Sequence, residues 1–175
     1  MQRHPGQRGL TLVESVVVLS VVSIGAAIAV PNLRSSFDLR RLEGHASQLA
    51  TDLQLARNEA IARNRGVRLS WYASTSCYVI HTGAATQCSC TPEGSGRCEG
   101  GATLVRSVGW TAADRVSLAS NTASIVFDPL HGTASPSATW RVTGADGRAI
   151  HHIINVMGRV RSCSPLGTVP GQRAC

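Results

Sequence analysis

Residues 9–30 constrain this chain more than any other part of it. A short leader containing Arg3, His4 and Arg8 ends at Gly9, and Leu10-Thr11-Leu12-Val13-Glu14 opens an apolar run that continues to Val30. Between Leu10 and Val30 the one ionisable side chain is Glu14. At 1.5 Å rise per residue, a helix of this length covers roughly 30 Å, the thickness of one hydrocarbon core. A carboxylate near the start of such a helix costs a few kcal/mol in lipid unless it is paired, so it points to a partner.

Two plainer origins of a basic leader and an apolar run compete with a processed membrane helix. An ordinary secretory signal is cut after its apolar region. No convincing small-x-small site stands there, although Ile24-Gly25-Ala26-Ala27 and Ala27-Ile28-Ala29 come close. A simple N-terminal anchor has no use for the glutamate. Gly9, Glu14, the apolar length and Pro31, all in one register, fit neither of these plainer origins.

Beyond the helix the composition suits one exported head. With residues 1–9 as leader and 10–33 as membrane or filament helix, residues 34–175 remain for a single globular domain. The charged fraction is only 15%, and Gly, Ser, Thr and Ala are abundant, which favours short strands and turns over a helical bundle. Net charge is +7, and about +5 without Arg3 and Arg8. All 17 basic side chains are arginine, a pattern that GC-rich codon usage explains without selection for arginine as such.

All six cysteines (Cys77, Cys88, Cys90, Cys98, Cys163 and Cys175) lie past the membrane segment. An even number in an exported head argues for disulfides. Cys163 and Cys175 bracket a Pro/Gly-containing tail, and a bridge there ties down the C-terminus. If they pair, three patterns remain for the other four. Joining Cys88 to Cys90 across one residue is geometrically poor. That leaves 77–88 with 90–98, or 77–90 with 88–98. The competing zinc site has a poor Cys-x-Cys spacing for tetrahedral coordination and sits in an oxidising compartment.

The rest of the chain predicts an α+β fold, a long N-terminal helix packed on an antiparallel head of short strands. Leu39, Leu42, Ala46, Leu49, Leu53, Ala56 and Ala60 recur at three- and four-residue steps, marking an amphipathic helix over 34–64. Asp38, Arg40, Arg41, Glu43, Asp52, Arg57, Glu59 and Arg63 are expected on its other faces. Gly66 is expected as the glycine that ends it. Strands are predicted at 67–72, 77–82, 103–107, 116–118, 123–127, 138–142, 149–155 and 160–162, with 83–101 as a turn-rich loop. No nucleophile elbow, metalloprotease helix or phosphate loop occurs, and no acidic loop cluster suits calcium, so neither catalysis nor a metal or cofactor is expected.

Gly9 followed by Leu-Thr-Leu-Val-Glu resembles the signal of type IV prepilins and type II secretion pseudopilins. The resemblance implies that a prepilin peptidase cuts after Gly9 on the cytoplasmic face and methylates the new N-terminus at Leu10, where the family usually has Phe. It also implies that Glu14 pairs with the N-terminal ammonium of a neighbouring subunit, and that Pro31 kinks the helix. Ala56-Arg57-Asn58-Glu59-Ala60-Ile61-Ala62-Arg63-Asn64 is similar to the "ARxEAIxRN" run of the FimT/GspH group of minor pilins.

Gly158-Arg159-Val160-Arg161 resembles the Gly-Arg-x-Arg element of FimT-type pilins, which implies DNA binding in natural transformation. The residues make a physical case of their own. On a strand Arg159 and Arg161 point to one side while Val160 faces the core, and two planar forks on one face suit neighbouring phosphates. Arg148 and Arg173 are expected to extend the patch, with His151 and His152 adding charge at lower pH. The competing role is a solvated edge strand whose arginines prevent further pairing.

Three functions follow: a DNA-binding minor pilin, a minor pseudopilin of a type II secretion system with a structural role, or a priming subunit acting through protein contacts alone. The implied partners are other pilins or pseudopilins through the N-terminal helix, prepilin peptidase, non-specific double-stranded DNA and the inner membrane. The expected location is a single-pass inner-membrane protein with a periplasmic head, then a filament. Gly9→Ala is expected to slow or block leader removal, read as gel mobility. Glu14→Ala is expected to leave the protein in the membrane but reduce its share of sheared filaments; normal incorporation would remove the pairing role.

Overall fold

The computed structural model describes residues 11–91 and 93–175, except the side chains of 29–32. The leader, Gly9 and Leu10 therefore lie outside the described residues. Helix α1 runs Leu12–Ala62. Thr11 caps it, its hydroxyl accepting the Glu14 N–H at 3.3 Å. Ser20 and Ser23 donate back to the Val16 and Leu19 carbonyls at 2.8 and 2.7 Å, so neither hydroxyl is unpaired on an apolar helix. Residues 11–28 are exposed throughout, and α1 is the described helix long and apolar enough to cross a membrane. Pro31, expected to kink the helix, lies inside α1 without ending it.

The chain divides into a unit ending at Phe37 and a unit from Asp38 to Cys175. Within the second unit the C-terminal half of α1 carries the predicted stripe: Leu42, Ala46, Leu49, Leu53, Ala56 and Ala60 are all buried, with Leu39 packed at the margin. The helix closes differently from expectation. Asn64, not Gly66, takes the left-handed conformation, with φ 48°. The Arg65 N–H reaches the Ala60 carbonyl at 3.2 Å and the Asn64 N–H reaches Ile61 at 3.2 Å, a Schellman closure with asparagine at the left-handed position.

Among the described residues eleven strands follow: β1 (Val67–Tyr72), β2 (Cys77–Thr82), β3 (Cys88–Cys90), β4 (Gly96–Cys98), β5 (Leu104–Gly109), β6 (Val116–Ser120), β7 (Ser124–Phe127), β8 (Ala134–Ser135), β9 (Ala138–Gly144), β10 (Ala149–Ile154) and β11 (Val160–Cys163). They form an antiparallel five-stranded sheet ordered β5-β2-β1-β7-β8 and a four-stranded sheet ordered β11-β10-β9-β6, with β3 and β4 as a separate ribbon. Inward side chains of both larger sheets meet the helix stripe in one core. It includes Leu69, Tyr78, Ile80, Ile125 and Phe127 from the first sheet and Trp140, Val142, Ile150 and Ile154 from the second. Fully burying each of these large side chains contributes roughly 1.5–3 kcal/mol.

The segment 83–101, expected as a loop, holds the β3–β4 ribbon. Its cysteines close one of the two pairings left open by sequence: Cys77 bonds Cys90 and Cys88 bonds Cys98. The ribbon covers the outer face of β2, where Cys77 and Val79 are fully buried. It lies so close that a side chain at Gly96 would come within 2.8 Å of Leu104 and 3.2 Å of Val79. The period-two pattern is too short here to mark strands, because disulfides and not an apolar stripe hold them.

Asp52, expected on a solvated face, is instead fully buried. Its position, three residues after Leu49 and four before Ala56, puts it on the stripe itself. Tyr78 donates its hydroxyl to Asp52 at 2.7 Å, and the Arg106 guanidinium stands 3.2 Å from the other oxygen. Burial raises the Asp52 pKa, opposed by the Tyr78 hydrogen bond and by Arg106. A raised carboxyl pKa favours folding at low pH and loses that benefit as pH rises, so at neutrality the two partners hold the charge in place. Tyr78→Phe is expected to cost about 1–3 kcal/mol at neutral pH, read as a lower denaturant midpoint at unchanged slope. The deficit is expected to shrink in acid, where Asp52 is neutral.

Candidate nucleic-acid interface

The turn between β10 and β11 is built by Asn155 and Gly158. The Gly158 N–H donates to the Asn155 carbonyl at 2.9 Å, and the Arg159 N–H donates to the Asn155 side-chain oxygen at 3.0 Å. Gly158 has φ +71°, and a Cβ there would stand 2.1 Å from the Gly132 carbonyl oxygen. Only glycine fits both demands. That carbonyl accepts from Arg57 Nε of α1 at 2.9 Å, and the Ala134 N–H donates to the Val156 carbonyl at 3.0 Å. The helix, the loop before β8 and this turn are thereby locked together, and Arg159 leaves from a fixed backbone.

Along β11 the side chains alternate. Val160 packs against the core, while Arg159 and Arg161 are exposed. Ser162 faces inward with Val160 and its hydroxyl lies 2.8 Å from His152 Nδ1 on β10. Arg161 therefore shares the outer face of the sheet with Ile153, its cross-strand neighbour, and with His151 two residues along. His151 is in turn paired with Arg141 of β9, which is exposed on that same face. Arg141 is not among the residues expected from sequence. Its signal lies in the alternation of β9, whose even-numbered residues 138–144 are the buried ones.

Arg148 does not join this group. It lies in the turn at the opposite end of β10, roughly 20 Å from Arg159 at strand spacing, and it binds Asp146 through its guanidinium and its backbone N–H. Burial also works against the charge expected from the histidines. His152 faces inward and burial holds its pKa down to about 4, while burial and the nearby Arg141 lower that of His151. Arg173 is exposed, and its carbonyl accepts from the Ser164 N–H at 2.8 Å, which sets the tail beside the end of β11. Cys163 is bridged to Cys175, so the C-terminus is tied to that strand.

Charge is segregated. Past Asp128 the chain holds five arginines and one acid, Asp146, which Arg148 neutralises. No carboxylate on any strand of the four-stranded sheet balances Arg141, Arg159 and Arg161. Arg159 stands between two shallow grooves. One is lined by Ile153, Asn155, Val160 and Arg161, the other by Gln54, Arg57, Asn58 and Gly158. A further groove, lined by Trp71, Trp110 and residues 116–118 among others, has no charged side chain. Among the described residues no group of three or more His, Cys, Asp or Glu side chains is placed to hold a metal ion.

The model of the type II transport protein GspH matches residues 45–158, well over half of the 175 residues. The chain belongs to the GspH family. The prokaryotic N-terminal methylation motif matches residues 4–30, the segment that includes Gly9 and Glu14. Two crystal structures of the type IV minor pilin FimU from Pseudomonas aeruginosa (strain PAO1) share the fold. One is 20% identical with a TM-score of 0.55 and covers 76% of this chain and 95% of that one. The other is 18% identical with a TM-score of 0.52 and covers 74% and 98%. Comparison with curated protein sequences gave no match. As a GspH-family chain with this motif and fold, the protein is a subunit of the minor pilin or pseudopilin class, which assembles with other pilins or pseudopilins.

The inward His152 of β10 links folding stability to pH. The His152 pKa falls from 6.5 to about 4 on folding, so the unfolded chain binds the proton more tightly. The resulting stability is complete above pH 6.5 and is lost as pH falls toward 4, about 3 kcal/mol at most. His81 and His151 are shifted in the same direction and add to the slope. His152→Asn is expected to flatten the decline of Tm between pH 6.5 and 4 relative to the parent. An unchanged slope would place the acid sensitivity elsewhere.

Proposed function

We propose that this minor pilin-like subunit binds DNA without sequence preference through Arg159 and Arg161, supported by Arg141 and Arg173. One observation carries the reading: Arg161 on the edge strand β11 and Arg141 on β9 are exposed on one face of a sheet whose strands carry no carboxylate, and the exposed Arg159 directly precedes β11. Backbone construction favours ligand binding over simple edge protection, since Gly158 is held by Arg57 and Gly132 in a way that solubility does not require. Guanidinium forks on neighbouring phosphates position a polymer and leave its sequence unread. Uptake of DNA in transformation is the role this activity serves in a pilus.

Assembly is proposed to use the N-terminal helix. Cleavage after Gly9 leaves Leu10 as the N-terminus, and the exposed Glu14 carboxylate, with no partner among the described residues, pairs with the ammonium of a neighbouring subunit. Such pairing removes the cost of a lone carboxylate at membrane depth. Before assembly the apolar helix holds the protein in the inner membrane, with the head in the periplasm.

The full chain in detergent is expected to bind duplex DNA with a Kd of roughly 1–100 μM at physiological salt. With about two to four phosphates neutralised, log K should fall with log salt at a slope of roughly −2 to −4. Arg159→Ala with Arg161→Ala is expected to remove most binding and flatten the slope by about two, with Tm unchanged because both side chains face solvent. Arg40→Ala with Arg41→Ala removes equal charge from the helix and is expected to do much less. If the parent does not bind at low salt, or the Arg159/Arg161 variant binds like the parent, the DNA reading fails and a structural role in a type II secretion pseudopilus replaces it.

A further inference from the structure

Tight turns are normally polar, yet the turn that launches Arg159 carries Val156 and Met157 at its tip, 61% and 60% exposed. Neither is needed for the turn itself, whose hydrogen bonds are made by Asn155, Gly158 and Arg159. The tip does not stand alone. Ala134 bonds the Val156 carbonyl, Gly158 abuts Gly132, and a side chain at Gly132 would touch Ile61 of α1 at 3.0 Å. Ile61 is 47% exposed, and Leu130 in the same loop as Gly132 is 75% exposed. Three elements thus place apolar side chains around one corner of the head, and contiguous exposed apolar surface marks a contact site.

Charge decides the occupant. The corner is flanked by Arg159 and Arg161, and nearby acids are sparse: Asp128, at the base of the 128–133 loop, is engaged by the backbone N–H groups of Leu130 and His131. A second copy of this basic surface would be repelled. A polyanion with apolar surface between its charges is not, and nucleic acid is such a polymer: phosphates outside, base faces within. Proteins that push Met, Leu, Ile or Phe between base steps while cations hold the flanking phosphates use this combination. Resting on the DNA reading above, we propose that the Val156–Met157 tip is the base-contacting element of the site. It wedges into flexible or unpaired steps while Arg159 and Arg161 hold the adjoining phosphates. The consequence is selectivity for deformability, not for sequence.

The test uses the full chain in detergent with three fluorescent DNA probes of equal length: an intact GC-rich duplex, a duplex with central TA steps, and a duplex with a short single-stranded gap. The parent is expected to bind the gapped probe several-fold more tightly than the GC-rich duplex, and to brighten 2-aminopurine placed at the gap as the base unstacks. Val156→Ser with Met157→Ser is expected to bind all three probes alike, near the parent's affinity for the GC-rich duplex, with no 2-aminopurine response. Met157→Gln, which keeps chain length and adds polarity, is expected to fall between them, and equal Tm values confirm that each variant folds. If the serine variant keeps the parent's preference and fluorescence response, the wedge is overturned while the arginine site stands. The wedge is likewise overturned if that variant binds DNA as the parent does but is lost from filaments, because the corner is then a protein contact. Absence of DNA binding by the parent overturns both readings together.

Discussion

One stripe of helix α1 closes both sheets. Leu42, Ala46, Leu49, Leu53, Ala56 and Ala60 are buried on one side, and the inward residues of the five- and four-stranded sheets meet there instead of meeting in separate cores. On that stripe Leu42, Leu49 and Leu53 supply the large buried side chains and Ala46, Ala56 and Ala60 the small ones. Asp52, in the middle of that stripe, is held by a hydroxyl from β2 and a guanidinium from β5, which join helix to sheet by polar contacts as well as apolar ones.

The same arrangement sorts charge along the chain. Nine of the ten acids lie at or before Asp128, and several are taken up by arginines nearby: Arg115 grips Asp38 with two bonds of 2.9 and 3.0 Å, and Arg40, Arg63 and Arg106 engage Glu43, Glu59 and Asp52. Apart from the buried Asp52, these are exposed pairs and add little stability. Their effect is to balance charge up to Asp128, leaving Arg141, Arg159, Arg161 and Arg173 without a side-chain carboxylate partner among the described residues. A polyanion meets a polarised surface, although net charge alone describes a uniformly basic protein.

Disulfides act here as covers. Two of them hold the β3–β4 ribbon over the outer face of β2, where apolar surface would otherwise face water, and the third holds the tail against the end of β11. Both covering segments are poor in apolar residues, and although Val169 of the tail reaches the core, a covalent link in each place reinforces what burial supplies.

Much of the fold was legible in the chain because it is written in local periodicity. The apolar run with Glu14 in register, the leucine–alanine stripe and the period-two strands 67–72, 77–82, 138–142 and 160–162 need no distant information, and they determined an α+β head on a long helix. Gly158-Arg159-Val160-Arg161 was also legible, since alternation alone puts two arginines on one side and valine on the other. Tertiary structure decided what depends on contacts between remote residues. It chose Cys77–Cys90 with Cys88–Cys98 over the other pairing, sent Arg148 to the far end of β10, buried Asp52 and His152, and brought Arg141 onto the face of Arg161. It also set Gly132 and Arg57 against Gly158, which explains that glycine more fully than turn chemistry does. Local pattern says which way a side chain points relative to its own backbone. Only the packing of layers says what it then meets, and for charged groups that neighbour determines whether the charge is balanced within the protein or left for a partner.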